Sequence, residues 1–537
     1  MKLFKLFSLL FAFCSCEKHL PNIVLIVADD LGYGDVKGFN QKYGAIDTPN
    51  IDKLIKNGML FSDAHSTSSV CSPSRYSLLT GHYNWRTRLQ QGVLHGLSDV
   101  LIPTTRRTIG SVLQEAGYTT GCIGKWHVGM SLNGNQADSL VPTEAVWKNQ
   151  NFKTPIKIGP TNVGFDYYYG ISASLDMPPY MFIENNHFEF SSLSPEKVSW
   201  GRQGPTENSF KAVEVLPTLV EKSKKFLEQH VKNITSSNKP VFLFLSLTSP
   251  HTPVLPTSDF LGKSRLGWYG DFVMQTDAAV GSIVSILTEL HALHNTLLIF
   301  TSDNGFTGAG YSNGPRVDFS IHKPSAGFRG GKADIYEGGH RIPLVMQWPA
   351  IIQPGTIKSQ TVSLADLYAT FADLTSITLS SNEGEDSYSL LPILVGKDHL
   401  YSRNHTIVHS FYGKFAIRNE KWLLAFCPGS GGWSGPKDDE VPLSSPRTQL
   451  FDLEADPAQT KNLVKEKKYE DIVNRLTQMM KTIKDSKSQR QIETDQHIST
   501  INWIQYRREH ENLHIHHSHS NIQHNHSKFK LPTQRRR

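Results

Sequence analysis

The amino-acid sequence predicts an α/β fold: a largely parallel sheet between helices, followed by a smaller antiparallel-sheet domain. Short apolar runs without polar alternation recur through the first 400 residues, as strands buried on both faces require. Helical patterns separate them, the strand, helix, strand order of a parallel sheet. After about residue 400 the runs become short and alternating, which suits antiparallel pairing. At 537 residues the chain has room for roughly two to four domain-sized units.

Taken in order, the chain opens with MKLFKLFSLLFAFCSC: two lysines, the apolar run Leu6 to Phe13, then small residues at cleavage positions. That pattern is a secretory signal peptide over residues 1–16. The run is far shorter than the roughly 20 residues a spanning helix needs, so no membrane span is expected. After cleavage only Cys71, Cys122 and Cys427 remain, too few for a disulfide framework. Cys122 and Cys427 read as buried thiols, and Trp126 as a packing residue. Sequons at Asn233, Asn404 and Asn525 suit a glycoprotein of the secretory route.

Asn22 to Ala28 (NIVLIVA) is the first buried strand and leads into Asp29-Asp30. Val241 to Leu247 (VFLFLSL) leads into Thr248-Ser249-Pro250-His251, and Thr296 to Ser302 (TLLIFTS) into Asp303-Asn304-Gly305. A fourth segment, Tyr118 to Ile123, ends in Gly124-Lys125-Trp126-His127. Helical patterns cover Val213 to Val231 and Asp271 to Leu293. Because ligands of open α/β sheets bind outside the carboxyl ends of the strands, four elements deliver polar side chains to one rim. Residues 17–400 form this α/β domain. Residues 401–486 form the smaller one, with alternating runs at Thr406 to His409, Lys414 to Arg418 and Lys421 to Phe426 and a charged helix from Leu463 to Ser486. Residues 487–537 are a polar, basic, histidine-rich tail that is not expected to pack. The net charge of +6 is small for this length, and four of the positive charges lie in the last eight residues. Nucleic-acid binding is therefore not implied.

Two adjacent carboxylates, Asp29 and Asp30, at one strand end and the Asp303-Asn304 pair at another are costly unless a cation lies between them. An oxygen-only set favours a hard ion, Ca²⁺ or Mg²⁺, over zinc. The alternative is ordinary turn and N-cap chemistry. A second cluster, Cys71-Ser72-Pro73-Ser74-Arg75, sets a cysteine at a helix start, which is a natural anion site.

The segment Cys71-Ser72-Pro73-Ser74-Arg75-Tyr76-Ser77-Leu78-Leu79-Thr80-Gly81 resembles the Cys-x-Pro-Ser-Arg-x-x-x-Leu-Thr-Gly signature of the type I sulfatases. Gly117 to His127 (GYTTGCIGKWH) is similar to their second signature, and Cys427 to Trp433 to segments of arylsulfatase-like members. The resemblance covers about residues 20 to 480. It implies an alkaline phosphatase-like fold, with a mixed, largely parallel sheet between helices and a small C-terminal sheet. It also implies a sulfuric ester hydrolase acting on sulfate monoesters of a small molecule or glycan. Aryl, steroid, glycolipid and glycosaminoglycan sulfates all fit.

For particular residues, the resemblance implies that a formylglycine-generating enzyme oxidises Cys71 to formylglycine (3-oxoalanine) in the secretory pathway. The hydrated aldehyde is then the nucleophile. Asp29, Asp30, Asp303 and Asn304 would hold Ca²⁺, which also touches residue 71. Arg75 would orient the hydrate, and Lys125 and Lys332 would contact the sulfate. His127 would lie beside the nucleophile as a base, and His251 would face the leaving group as its acid. Ser174 matches a serine near the site, with Ser172 a close competitor. The implied location is secreted or lysosomal. Two rival readings are a phosphatase or phosphodiesterase of the same superfamily and a noncatalytic extracellular metal-binding protein. The stretch from Met130 to Gln203, with aromatics from Trp147 to Phe182, is expected to wall the pocket, with core packing as the equal alternative for those rings.

Overall fold

The structure, a computed structural model, describes residues 20–132, 147–148, 150–194, 201–231, 239–307, 319–486 and 488. The expected signal peptide, the sequons at Asn233 and Asn525 and the histidine-rich tail lie outside the described residues, whereas Asn404 lies within them and is exposed. No helix of the described residues is long and apolar enough to cross a membrane.

The three apolar runs are neighbours at the centre of a ten-stranded sheet. Parallel pairing runs in the order Thr296–Ser302, Asn22–Asp29, Val241–Pro250, Thr119–Lys125 and Tyr167–Ile171. Antiparallel strands extend it on both sides, Leu344–Gln347 beside Thr296–Ser302 and Phe182–Glu184 beside Tyr167–Ile171. Successive side chains of a strand point to opposite faces, and here both faces are apolar. Ile23, Leu25 and Val27 pack with the helices Ile109–Glu115 and Asp366–Thr375. Val24, Ile26 and Ala28 pack with Val215–Val231 and Gly267–Glu289. Each fully buried Val, Leu or Ile contributes about 1.5–3 kcal/mol, so the central strands are the most costly part of the chain to disrupt.

Close strand approach has a cost at one position. Gly124 has φ of 123°, and a Cβ there would sit 1.7 Å from the Ser246 carbonyl oxygen of the neighbouring strand. Gly124→Ala is therefore expected to destabilise the fold by roughly 2–4 kcal/mol through strain and overpacking. Urea denaturation checks this; an unchanged midpoint would contradict it.

The C-terminal part forms a four-stranded antiparallel sheet, His405–His409, Phe415–Asn419, Trp422–Ala425 and Gln449–Asp452. One face packs Ile417, Leu424 and Leu450 on Leu476, Met480 and Ile483 of the helix Glu470–Asp485. The other packs Val408, Leu423 and Phe451 on Ile335 and Tyr336. That contact backs the loop carrying Lys332. The last strand was not read from sequence, and the helix begins later than Leu463. Leu463 N instead donates to Leu450 O, and Asn462 Oδ1 accepts from the amides of Leu450 and Val464, which ties this segment to the strand edge.

In the stretch from Met130 to Gln203, several aromatic rings pack against one another and on the sheet. Phe165 meets Trp126, Phe242 and Phe244, Phe152 meets Phe188, and Tyr167 stacks on Phe226. Cys122 and Cys427 are free, buried thiols.

Candidate active site

Because the central strands share one direction and register, their last residues gather at one edge. Asp29 and Lys125 end their strands, His251 follows Pro250, and Asp303 follows Ser302. Asp30 and His127 adopt the left-handed region, φ 63° and 60°, which turns each side chain back over the sheet edge. Non-glycine residues adopt this region uncommonly, Asp and His more readily than most. Cys71 is the first residue of the helix Cys71–Thr80, held over the same edge.

Buried ion pairs join these groups. Lys125 Nζ donates to both Asp29 oxygens, at 2.9 and 2.7 Å. Arg75 donates to Asp303 Oδ2 from Nη2 at 2.7 Å and from Nε at 3.0 Å. Lys332 Nζ lies 2.8 Å from Asp30 Oδ2 and donates to Cys71 Sγ at 3.4 Å. His251 Nε2 is 3.6 Å from Asp30 Oδ2. Burial pushes the Asp29 carboxyl up, but Lys125, His251, Arg75 and Lys332 outweigh it and hold the group well below the usual range. Asp303 is opposed mainly by Arg75. Burial, with Asp29 and Asp30 nearby, raises its carboxyl.

Three observations bear on chemistry. Burial pushes the Cys71 thiol up to about 12 despite Lys125 and Lys332. His127 Nε2 must donate to the Leu94 carbonyl at 2.7 Å, which leaves the lone pair on Nδ1, a buried atom with no partner. Burial, helped by Lys125 and Arg75, holds that imidazole neutral. His251 Nδ1 donates to the Thr252 carbonyl, leaving Nε2 to face the site.

The residues fit a hard cation. Asn304 Nδ2 donates to Asp30 Oδ1 and Gly305 O, while Asn304 Oδ1, buried beside Asp30, accepts nothing. An orphaned amide oxygen beside three carboxylates is an oxygen donor set. The ligand atoms of Asp29, Asp30, Cys71 and His251 all lie within 4.8 Å of one another.

Ser174 and Ser172 are both buried, and both hydroxyls lack a protein partner. Ser172 O accepts from His127 N. Sequence reasoning missed Ser246, whose Oγ accepts from Arg75 Nη1 and donates to the Lys125 carbonyl at 2.7 Å. Its signal was present: the one hydroxyl in the apolar run Val241 to Leu247.

A second group, His65, Glu337 and His340, lies deeper. Its imidazoles meet at 3.0 Å through Nδ1, and guanidiniums already occupy its acids, Arg341 on Glu337 at 2.8 Å and Arg418 on Asp63. It anchors the chain entering Cys71, since Ser66 N donates to His340 O.

The sulfatase family model matches residues 21–377, the span that carries this site. The chain belongs to the sulfatase family. Relatives agree with the match. The N-acetylgalactosamine-6-O-sulfatase of Bacteroides thetaiotaomicron is 32% identical over 511 residues, 86% of this chain and 93% of the relative. Arylsulfatase A of Bos taurus is 32% identical over 465 residues, 83% of each chain. Among solved structures, a 6S-sulf protein from the metabolism of multiple glycosaminoglycans by Bacteroides thetaiotaomicron superposes with a TM-score of 0.75. It is 30% identical and covers 87% of this chain and 100% of its own. The sulfatase is a sulfuric ester hydrolase with the alkaline phosphatase-like fold that the sequence resemblance implied.

Proposed function

We propose that this sulfatase removes the 6-O-sulfate of an N-acetylgalactosamine-type sugar, using formylglycine at position 71 and Ca²⁺. The observation that carries the chemistry is the position of Cys71, buried at the start of the helix Cys71–Thr80 with its Sγ against Lys332 and Asp29, where the acids and cations of the site meet. The sugar is supported by the relative named for N-acetylgalactosamine 6-O-sulfate, which is covered over 93% of its length, and by the 6S-sulf structure. The signal-peptide pattern supports a secreted or lysosomal enzyme that meets the formylglycine-generating enzyme in transit.

Asp29, Asp30, Asp303 and Asn304 would hold the Ca²⁺, with residue 71 beside it. Bound there, Ca²⁺ would supply positive charge to the sulfate group. Formylglycine at position 71 would supply a hydrated aldehyde, with one oxygen as nucleophile and a second hydroxyl able to lose its proton. The rest falls to the chain's own groups. Lys125, Lys332 and Arg75 give positive charge to the transferring sulfuryl group, preorganised by their carboxylate partners. His251 delivers a proton from Nε2 to the departing alcohol, and His127 takes one at Nδ1. Ser174 Oγ, buried and unpartnered, is a further donor toward the sulfate end. Asp29, Asp30 and Asp303 balance Arg75, Lys125 and Lys332, so a dication and a monoanionic sulfate ester entering together leave these groups with one net positive charge.

N-acetylgalactosamine 6-sulfate should be turned over with a higher kcat/KM than nitrophenyl sulfate or a steroid sulfate. A higher value for the steroid ester would contradict the sugar assignment. For the metal, Asp303→Asn keeps a hydrogen-bonding group on Arg75 while removing a charged ligand. Turnover should fall about 10²-fold or more and calcium content should drop, measured by elemental analysis. Unchanged turnover and calcium would show that the Asp303-Asn304 pair is a turn only.

A further inference from the structure

Three loops meet beside the sulfate-binding end. The first holds Leu94, whose carbonyl accepts from His127 and whose amide donates to Ser72 Oγ, next to Cys71. The second continues from Ser174, whose carbonyl accepts from Met177 N, and passes through Asp176 to Tyr180. The third carries Arg202, whose amide donates to the Tyr180 hydroxyl at 2.7 Å. The first two loops touch closely, because a Cβ on Gly96 would meet the Pro178 carbonyl at 2.1 Å.

Their side chains form a connected polar set. Arg202 donates from Nη1 to His95 Nδ1 at 3.1 Å and from Nη2 to Asp176 Oδ2 at 3.4 Å. Since His95 Nδ1 accepts, the neutral ring carries its proton on Nε2. Burial and the Arg202 charge push the His95 imidazole down to about 4, which keeps it neutral at working pH. Asp176 Oδ1 is buried and takes no hydrogen bond, while the side chain as a whole is 23% exposed. Arg202 is 52% exposed, with guanidinium hydrogens to spare.

We infer that His95, Asp176 and Arg202 are the specificity-determining residues for the alcohol half of the substrate, binding the free hydroxyl or amide groups of a sugar ring beside the sulfate ester. The inference deepens the proposed function and rests on it. Its chemistry is selective. A carboxylate accepts from hydroxyls, while a guanidinium and a neutral imidazole N–H donate to them, so vicinal ring substituents satisfy both. A flat aryl or steroid alcohol offers neither and gains nothing from this set. The set carries one positive and one negative charge, which matches a neutral sugar rather than an acidic one.

The test compares kcat/KM on N-acetylgalactosamine 6-sulfate and on nitrophenyl sulfate for Arg202→Ala and Asp176→Asn. Each should lower the sugar-to-aryl ratio by about 10- to 100-fold, the cost of one lost hydrogen-bonding partner. A panel of mono-deoxy sugar sulfates should contain one on which the substitution has little further effect. Equal losses on sugar and aryl esters, or no loss on either, would overturn the assignment. A wild-type enzyme inert on every sugar sulfate yet active on aryl sulfate would remove the proposed function itself, a result distinct from active wild type with indifferent variants.

Discussion

Cys71→Ala is expected to abolish turnover of every sulfate ester, by about four to six orders of magnitude, the scale on which nucleophile deletions fall. The fold should survive, because the side chain is small and the helix from Cys71 to Thr80 is held by other contacts such as Ser74 Oγ to Ser68 O at 2.7 Å. Cys71→Ser is the sharper variant. A serine has one oxygen where the hydrated aldehyde has two, so it lacks the second proton whose removal releases sulfate. It should turn over at most once, visible as a substoichiometric burst of alcohol with no steady state. Sustained turnover by the serine variant would show that the second oxygen is not needed.

His251→Ala should produce the next largest effect, and a selective one. A nitrophenolate departs without a proton, whereas a sugar alkoxide does not, and general acid help is worth about 10²- to 10⁴-fold. The loss should therefore be of that order on a sugar sulfate and small on nitrophenyl sulfate. The geometry underlies this asymmetry: Nδ1 is committed to the Thr252 carbonyl, so Nε2, 3.6 Å from Asp30, is the ring atom left to serve the site. His127→Ala should instead slow sulfate release on both esters alike. Matched losses for His251→Ala on both substrates would leave it as a sulfate-binding residue only.

The parts of the fold legible in the sequence were those whose burial is two-sided. NIVLIVA, VFLFLSL and TLLIFTS carry no polar alternation, and each lies in the parallel centre of the sheet. Their polar ends, Asp29-Asp30, His251 and Asp303-Asn304, converge because parallel strands finish at a common edge. Legibility failed where long-range contacts override local pattern. Gln449–Asp452 is a short strand fixed by pairing with Trp422–Ala425, and nothing in four residues announces that. The aromatic stretch was ambiguous for a related reason, because a ring packed on Phe242 and one lining a cleft look the same in sequence. Leu94, Ser246, His95, Asp176 and Arg202 matter through a carbonyl, a hydroxyl or a neighbour far along the chain, and spacing alone does not place them.

The most direct measurement of the central claim is peptide mass spectrometry of residue 71 alongside turnover, on protein made in hosts with and without the formylglycine-generating enzyme. The aldehyde is expected at position 71 only in the competent host, with kcat proportional to the fraction converted. A preparation carrying the intact Cys71 thiol throughout and hydrolysing sulfate esters at the full rate would contradict it.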